Sequence, residues 1–246
     1  MKYIIVFISV ILITCKITAD PYKISKISGD LEILKLTQNA YIHISYANTE
    51  WGRIASNGLI YVQDHKAFLF DTPMDEPTTK LLVKFIEDSL TAQIVGFVPN
   101  HWHADCIGGL KYLHSIGVES YANSMTIEFA RKNGYEQPRQ AFTDSLILQL
   151  GKKKIVCFYP GAAHSMDNIV VWLPGERILF GGCMVKDLAA KNMGNYADGD
   201  LKQWPETIRK IMARFPDAEI VIPGHGQFGG FNLLKHTFEL SKAYAN

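Results

Sequence analysis

From Tyr22 to Asp71 short apolar runs alternate with turn residues. The runs Leu31–Leu36, Tyr41–Tyr46, Leu59–Val62 and Ala67–Phe70 have the length and the bounding turns of sheet strands. The period then changes, because Leu81, Leu82, Phe85, Ile86 and Leu90 fall on one face of a helix over Pro77–Leu90, and Ile94–Val98 returns to a buried strand. Further helices are expected over Ile107–Ile116, Met125–Asn133, Trp204–Phe215 and Leu233–Tyr244, hairpins over Ser145–Tyr159 and Asn168–Gly182, and a strand over Glu219–Ile222. This alternation of strands and helices puts the chain in the α/β class.

The two halves echo each other. Residues 58–71, GLIYVQDHKAFLFD, resemble residues 168–181, NIVVWLPGERILFG, as apolar strand, polar turn and apolar strand. Each hairpin is followed by a helix and then by a strand that ends alike, in Val98-Pro99-Asn100-His101 and in Ile222-Pro223-Gly224-His225. If both halves follow one plan, two sheets pack face to face with helices outside, and the two histidines meet at one rim, where ligands bind.

The first residues carry a different signal. Met1–Lys2 gives a positive start and Tyr3–Thr14 an apolar run too short to span a bilayer comfortably, which together predict an export signal over 1–19 and a single mature domain over 20–246. Ala19 before Asp20 is the expected cleavage site. Leu12-Ile13-Thr14-Cys15 is a weak likeness of a lipoprotein box, so membrane attachment is expected only if Cys15 is lipidated. The 246 residues carry 25 Lys+Arg against 24 Asp+Glu, a formal charge of +1. Removal of Lys2 and Lys16 leaves 23 basic against 24 acidic residues, a net −1. Near-neutrality argues against nucleic acid or an anionic membrane as the main partner, and 48% hydrophobic residues exclude a disordered chain. Three of four cysteines remain after cleavage, Cys106, Cys157 and Cys183, and an odd number cannot pair completely within the chain. Cys157, in a β-rich apolar run, reads as core.

The candidate chemistry sits at strand ends. His101-Trp102-His103-Ala104-Asp105 follows a strand, and an extended segment would direct His101, His103 and Asp105 to one side. His164, Cys183 and His225 each follow a strand within a Gly- or Pro-bearing turn. Six donors of these types allow two metal ions. His43, His65, His114 and His236 lack this setting and read as ordinary surface or helix residues.

This set, His101-x-His103-x-Asp105 with His164, Cys183 and His225, resembles the zinc site of the metallo-β-lactamases, specifically the broad-spectrum subclass with three His on one zinc and Asp-Cys-His on the other. The likeness runs from about Ile33 to Tyr244 and takes in Trp51-Gly52, Asp71, Gly108-Gly109, Asp167-Asn168, Lys186, Asn195 and Gly224-His225-Gly226. It implies an αββα four-layer sandwich with two mixed sheets face to face, and two Zn2+ per chain. It also implies hydrolysis of penicillins, cephalosporins and carbapenems by zinc-activated water, conferring antibiotic resistance; the expected export signal places the enzyme in the periplasm, and it is expected to be a monomer. On that likeness His101, His103 and His164 hold one zinc, and Asp105, Cys183 and His225 the other. Asp105 orients the attacking water, Asn195 donates to the tetrahedral anion, and Lys186 pairs with the substrate carboxylate. Trp51 closes as a flap, and Asp71 holds the ligands from behind. Other hydrolases of this fold, acting on thioesters, lactones or phosphodiesters, resemble His-x-His-x-Asp-His with a later bridging Asp; here those two positions hold Cys106 and Cys183, which favours the lactamase over them. A non-catalytic exported zinc-binding protein would leave Lys186 and Asn195 unexplained.

Overall fold

The computed structural model describes residues 22–245; the expected export signal over 1–19, the Ala19–Asp20 cleavage site and Cys15 lie outside the described residues. Strands β1 (Ile24–Lys26), β2 (Leu31–Lys35), β3 (Ala40–Thr49), β4 (Gly52–Gln63) and β5 (Lys66–Phe70) run antiparallel in succession, helix α1 (Glu76–Asp88) crosses over, and β6 (Gln93–Val98) returns parallel to β5. A middle segment follows, with α2 (Ala104–Ile107), α3 (Leu110–Ser115), β7 (Tyr121–Asn123), α4 (Ser124–Lys132) and β8 (Gln140–Phe142), β7 and β8 pairing apart from the large sheets. The second sheet comprises β9 (Ser145–Leu150), β10 (Lys153–Phe158), β11 (Val170–Leu173), β12 (Ile178–Gly182) and, after α5 (Trp204–Arg214), β13 (Ile220–Pro223) parallel to β12. Helix α6 (Asn232–Tyr244) closes the described chain.

The echo in the sequence is an echo in topology: β4–β5, α1 and β6 repeat as β11–β12, α5 and β13. Alternation along the strands divides the side chains between two faces. Leu59, Tyr61 and Phe70 of the first sheet meet Ile155, Val171 and Phe180 of the second in a core between the sheets. The opposite face of the first sheet, with Ile60 and Leu69, packs on Leu82 and Ile86 of α1 and Leu110 of α3. Leu179 and Val221 of the second pack on Trp204 and Ile208 of α5 and Leu234 of α6. These three cores make the four-layer αββα sandwich.

Three departures from the expected elements have local causes. The helix expected over Ile107–Ile116 begins at Ala104 and is broken into α2 and α3 at Gly108-Gly109. A Cβ at Gly108 would lie 2.1 Å from the Met74 carbonyl oxygen and one at Gly109 2.1 Å from Thr79 Oγ1, so the pair lets these turns sit against the start of α1. Strands β3 and β4 extend well past Tyr46 and before Leu59, forming a long hairpin with Trp51 at its tip. The three-residue strands β1, β7 and β8 are too short to show a period and were not expected. His43 is no surface or helix residue: it lies buried on β3, its Nε2 3.1 Å from the Asp71 carbonyl oxygen, and burial lowers its pKa to about 4.

Candidate metal centre

Both parallel edge strands end at the same rim. Past β6, His101 and His103 lie in a bent segment; His103 caps α2 and Asp105 falls in its first turn. Asp105 is therefore brought in by a helical turn rather than by the extended alternation expected from the sequence. His164 comes from the loop after β10, Cys183 directly after β12 and His225 after β13. Gly224 permits the last approach, since a Cβ there would meet Cys183 Sγ at 2.4 Å.

The donors form two adjoining clusters. His101 Nε2 lies 2.9 Å and His164 Nε2 3.2 Å from His103 Nδ1. Beside them, His225 Nε2 lies 3.2 Å from Asp105 Oδ2 and 3.3 Å from Cys183 Sγ, with Cys183 Sγ 3.4 Å from Asp105 Oδ2. The donor atoms of His101, His103 and His164 all fall within 4.8 Å of one another, as do those of His101, Asp105 and Cys183, a spacing that can hold a metal ion.

Whether a cation fits is tested by the far side of each ring. His103 Nε2 is 3.0 Å from Asp198 Oδ2, His164 Nδ1 2.9 Å from the Asn195 carbonyl oxygen, and His225 Nδ1 2.8 Å from the Ala55 carbonyl oxygen. Those oxygens only accept, so the far nitrogen of each ring carries a proton and the near nitrogen is the one turned toward the cluster, where it can bind a metal once unprotonated. Burial, reinforced by neighbouring charges, lowers the pKa of His164 to about 3 and that of His101 well below its ordinary range. Imidazole lone pairs aimed at one point repel unless a cation lies between them, and three nitrogens beside a carboxylate, a thiol and a further imidazole are a donor set suited to zinc.

Charge in the second cluster is polarised. Burial disfavours the Asp105 carboxylate, but the His225 hydrogen bond and the surrounding imidazoles outweigh it and hold Asp105 far below the usual range. Burial alone would lower His225, yet Cys183 and Asp105 raise it well above the ordinary value. Burial and the Asp105 charge push the Cys183 thiol up to about 11, so without a metal it is protonated.

The remaining expected residues gather around these clusters. Asp71, buried with φ 59°, accepts the Asn100 N–H at 2.5 Å next to His101. Lys186 and Asn195 line a cavity of about 1020 Å³ together with His103, Asp105, His164 and His225; Trp51, 75% exposed, stands at its edge. Burial lowers the Lys186 pKa against the opposing pull of Cys183 and Asp105, and its ammonium sits 5.2 Å from the Trp204 ring centroid. Ala197 N–H donates to Asn195 Oδ1 at 3.1 Å, which leaves the Asn195 amide nitrogen as the outward donor. Sequence reasoning missed Asp198. Only its place in the loop that carries Asn195 could have drawn notice, because the contact with His103 spans 95 residues.

A four-layer αββα sandwich with clustered metal donors at the shared rim of its sheets defines a class of metal-dependent hydrolases, and the comparisons with known proteins agree. The model of the metallo-beta-lactamase superfamily matches residues 51–225, and the chain belongs to that superfamily. It is 46% identical to a metallo-beta-lactamase type 2 of Bacteroides fragilis over 99% of this chain and 97% of that protein. It is 36% identical to one of Bacillus cereus, over 87% and 84% respectively. The solved structure of a metallo-beta-lactamase from Pontibacter korlensis superposes with a TM-score of 0.83 at 38% identity, covering 86% of this chain and 99% of that one.

Proposed function

We propose that the chain is an exported zinc β-lactamase that opens the lactam amide of penicillins, cephalosporins and carbapenems with two zinc ions per chain. The observation that carries this reading is the adjoining of two donor clusters of unlike composition, three imidazoles beside Asp105, Cys183 and His225, at the mouth of a cavity that also holds Lys186. His101, His103 and His164 would hold one ion, and Asp105, Cys183 and His225 the other. Bound zinc supplies Lewis acidity and brings the pKa of water from 15.7 to about 7.

The chain's own groups do the rest. Lys186 pairs its ammonium with the carboxylate that β-lactams carry and so fixes the ring over the clusters. Asp105, ionised because His225 and the neighbouring imidazoles favour its charge, accepts a hydrogen bond from the attacking water and aims it at the lactam carbonyl carbon. Asn195, its carbonyl already taken by Ala197 N–H, donates its amide N–H to the oxygen on which negative charge develops. The C–N bond then breaks, carbon keeps the hydroxyl and nitrogen gains a proton. Asp71 anchors the Asn100 backbone beside His101, and Trp51 covers apolar substituents from the hairpin tip.

The relatives' bacterial origin and the apolar start of the chain support export to the periplasm and cleavage after Ala19, with a membrane anchor only through Cys15; the mature chain over 20–246 is proposed as a single-domain monomer. Mass spectrometry of the reaction with benzylpenicillin tests the function: the product should gain one water while the protein mass stays unchanged throughout turnover. A covalent acyl adduct on the protein, or an unaltered penicillin with metal bound, would overturn it.

A further inference from the structure

The cavity has two chemically different walls. The five-stranded sheet contributes a polar one, with Lys186, Asn192 and Asn195 from the loop after β12. The six-stranded sheet and its helices contribute an apolar one, with Met74, Trp102 and Tyr135. Trp102 stands in the chain between His101 and His103. Its ring stands edge to His103 at 4.6 Å, and packs on Tyr135 at 6.2 Å and Phe129 at 6.5 Å. Tyr135 is fixed in turn by its N–H on the Ala130 carbonyl at 2.9 Å, just past α4, and its hydroxyl makes no hydrogen bond among the described residues. Trp51, by contrast, stands exposed on the hairpin tip.

We infer that Trp102 and Tyr135 form a fixed aryl-binding wall and are specificity-determining residues for the hydrolysis proposed above, on which this inference rests. A bicyclic β-lactam carries its carboxylate at one end and the substituent of its lactam ring at the other. With the carboxylate on Lys186, that substituent is directed across the three-histidine cluster toward Trp102 and Tyr135. A face already immobilised by Phe129 and His103 binds an aryl group without first having to be ordered, and the free Tyr135 hydroxyl can meet the polar atoms of an acylamino link.

The test compares benzylpenicillin with 6-aminopenicillanic acid, the same nucleus without the aryl group, on the metal-loaded protein and on Trp102→Ala, Trp102→Phe and Tyr135→Ala, with bound metal measured in each. Trp102→Ala and Tyr135→Ala should raise KM for benzylpenicillin about fivefold to tenfold, keep kcat within about threefold, and leave 6-aminopenicillanic acid nearly unchanged. Trp102→Phe should retain most of the preference. A KM that rises equally for both substrates would overturn the inference, as would metal loss from Trp102→Phe equal to that from Trp102→Ala, since the ring would then serve only the metal loop. Failure of the unaltered protein to open either substrate with metal bound would instead defeat the proposed function, and this inference with it.

Discussion

The imidazoles of His103, His164 and His225 each have one nitrogen committed to an oxygen acceptor, and that commitment decides what the other nitrogen can do. Cys183 is the donor whose state depends most on a metal, because burial keeps it a thiol up to about pH 11 without one. Cys183→Ser should lower bound zinc from two equivalents toward one and depress turnover of penicillins and carbapenems; metal analysis after dialysis checks this, and two retained equivalents would reject the assignment. His43 makes a prediction away from the clusters. Its folded value of about 4 lies below the unfolded 6.5, so the folded protein binds fewer protons than the unfolded chain between those values. The stability linked to neutral His43 is whole above about pH 6.5 and is lost as the pH falls toward 4, by about 3 kcal/mol. In metal-stripped protein the advantage of wild type over His43→Leu should shrink by that amount across this window, as read by urea unfolding; a constant difference would contradict it. The six donors were legible as residues because each follows a strand in a Gly, Pro or His-x-His setting. His43 was not, because one polar residue between Ile42 and Ile44 reads like any outward strand position; only the small Gly58 opposite it, where a Cβ would meet His43 Nε2 at 2.0 Å, betrays the ring's inward turn.

The segment after β12 joins the metal clusters to the substrate groups. It presents Lys186 and Asn195 to the cavity, while its Asn195 carbonyl receives His164 and its Asp198 carboxylate receives His103. Met166 N–H on the Asp198 carbonyl at 3.1 Å and Asp200 N–H on the Ala163 carbonyl at 2.8 Å staple it to the His164 loop. Asp198→Ala should weaken zinc binding at the three-histidine cluster about tenfold to a hundredfold, while Asp198→Asn, which keeps an accepting oxygen, should lose less. Cobalt titration of stripped protein would show it, and equal affinities in all three proteins would remove Asp198 from this role. Regular elements are legible from period alone, but the full length of the β3–β4 hairpin is not, because Ala47 to Ser56 carries mixed polar residues where the hairpin leaves the core. The break between α2 and α3 falls inside the single helix expected over Ile107–Ile116, because its cause, close approach of Gly108 and Gly109 to Met74 and Thr79, is tertiary and invisible in the chain.

Across the molecule, the repeated plan of hairpin, helix and parallel strand explains why donors spread from His101 to His225 meet. Each half ends its parallel strand at one rim of the shared core, and Asn57 ties the halves together there by donating to the Pro223 carbonyl at 2.9 Å. That convergence was legible as a match between Val98-Pro99-Asn100-His101 and Ile222-Pro223-Gly224-His225, whereas the division of six donors into two clusters needed the helical turn at Asp105. Lactam hydrolysis by this protein depends on metal held by these clusters. Its most direct test is the rate of hydrolysis of a chromogenic cephalosporin by metal-stripped protein as zinc is added back. Hydrolysis should be absent before zinc, rise on addition and reach a plateau by two equivalents per chain; hydrolysis by the stripped protein, or none with both equivalents bound, would rule out a metal-dependent lactamase.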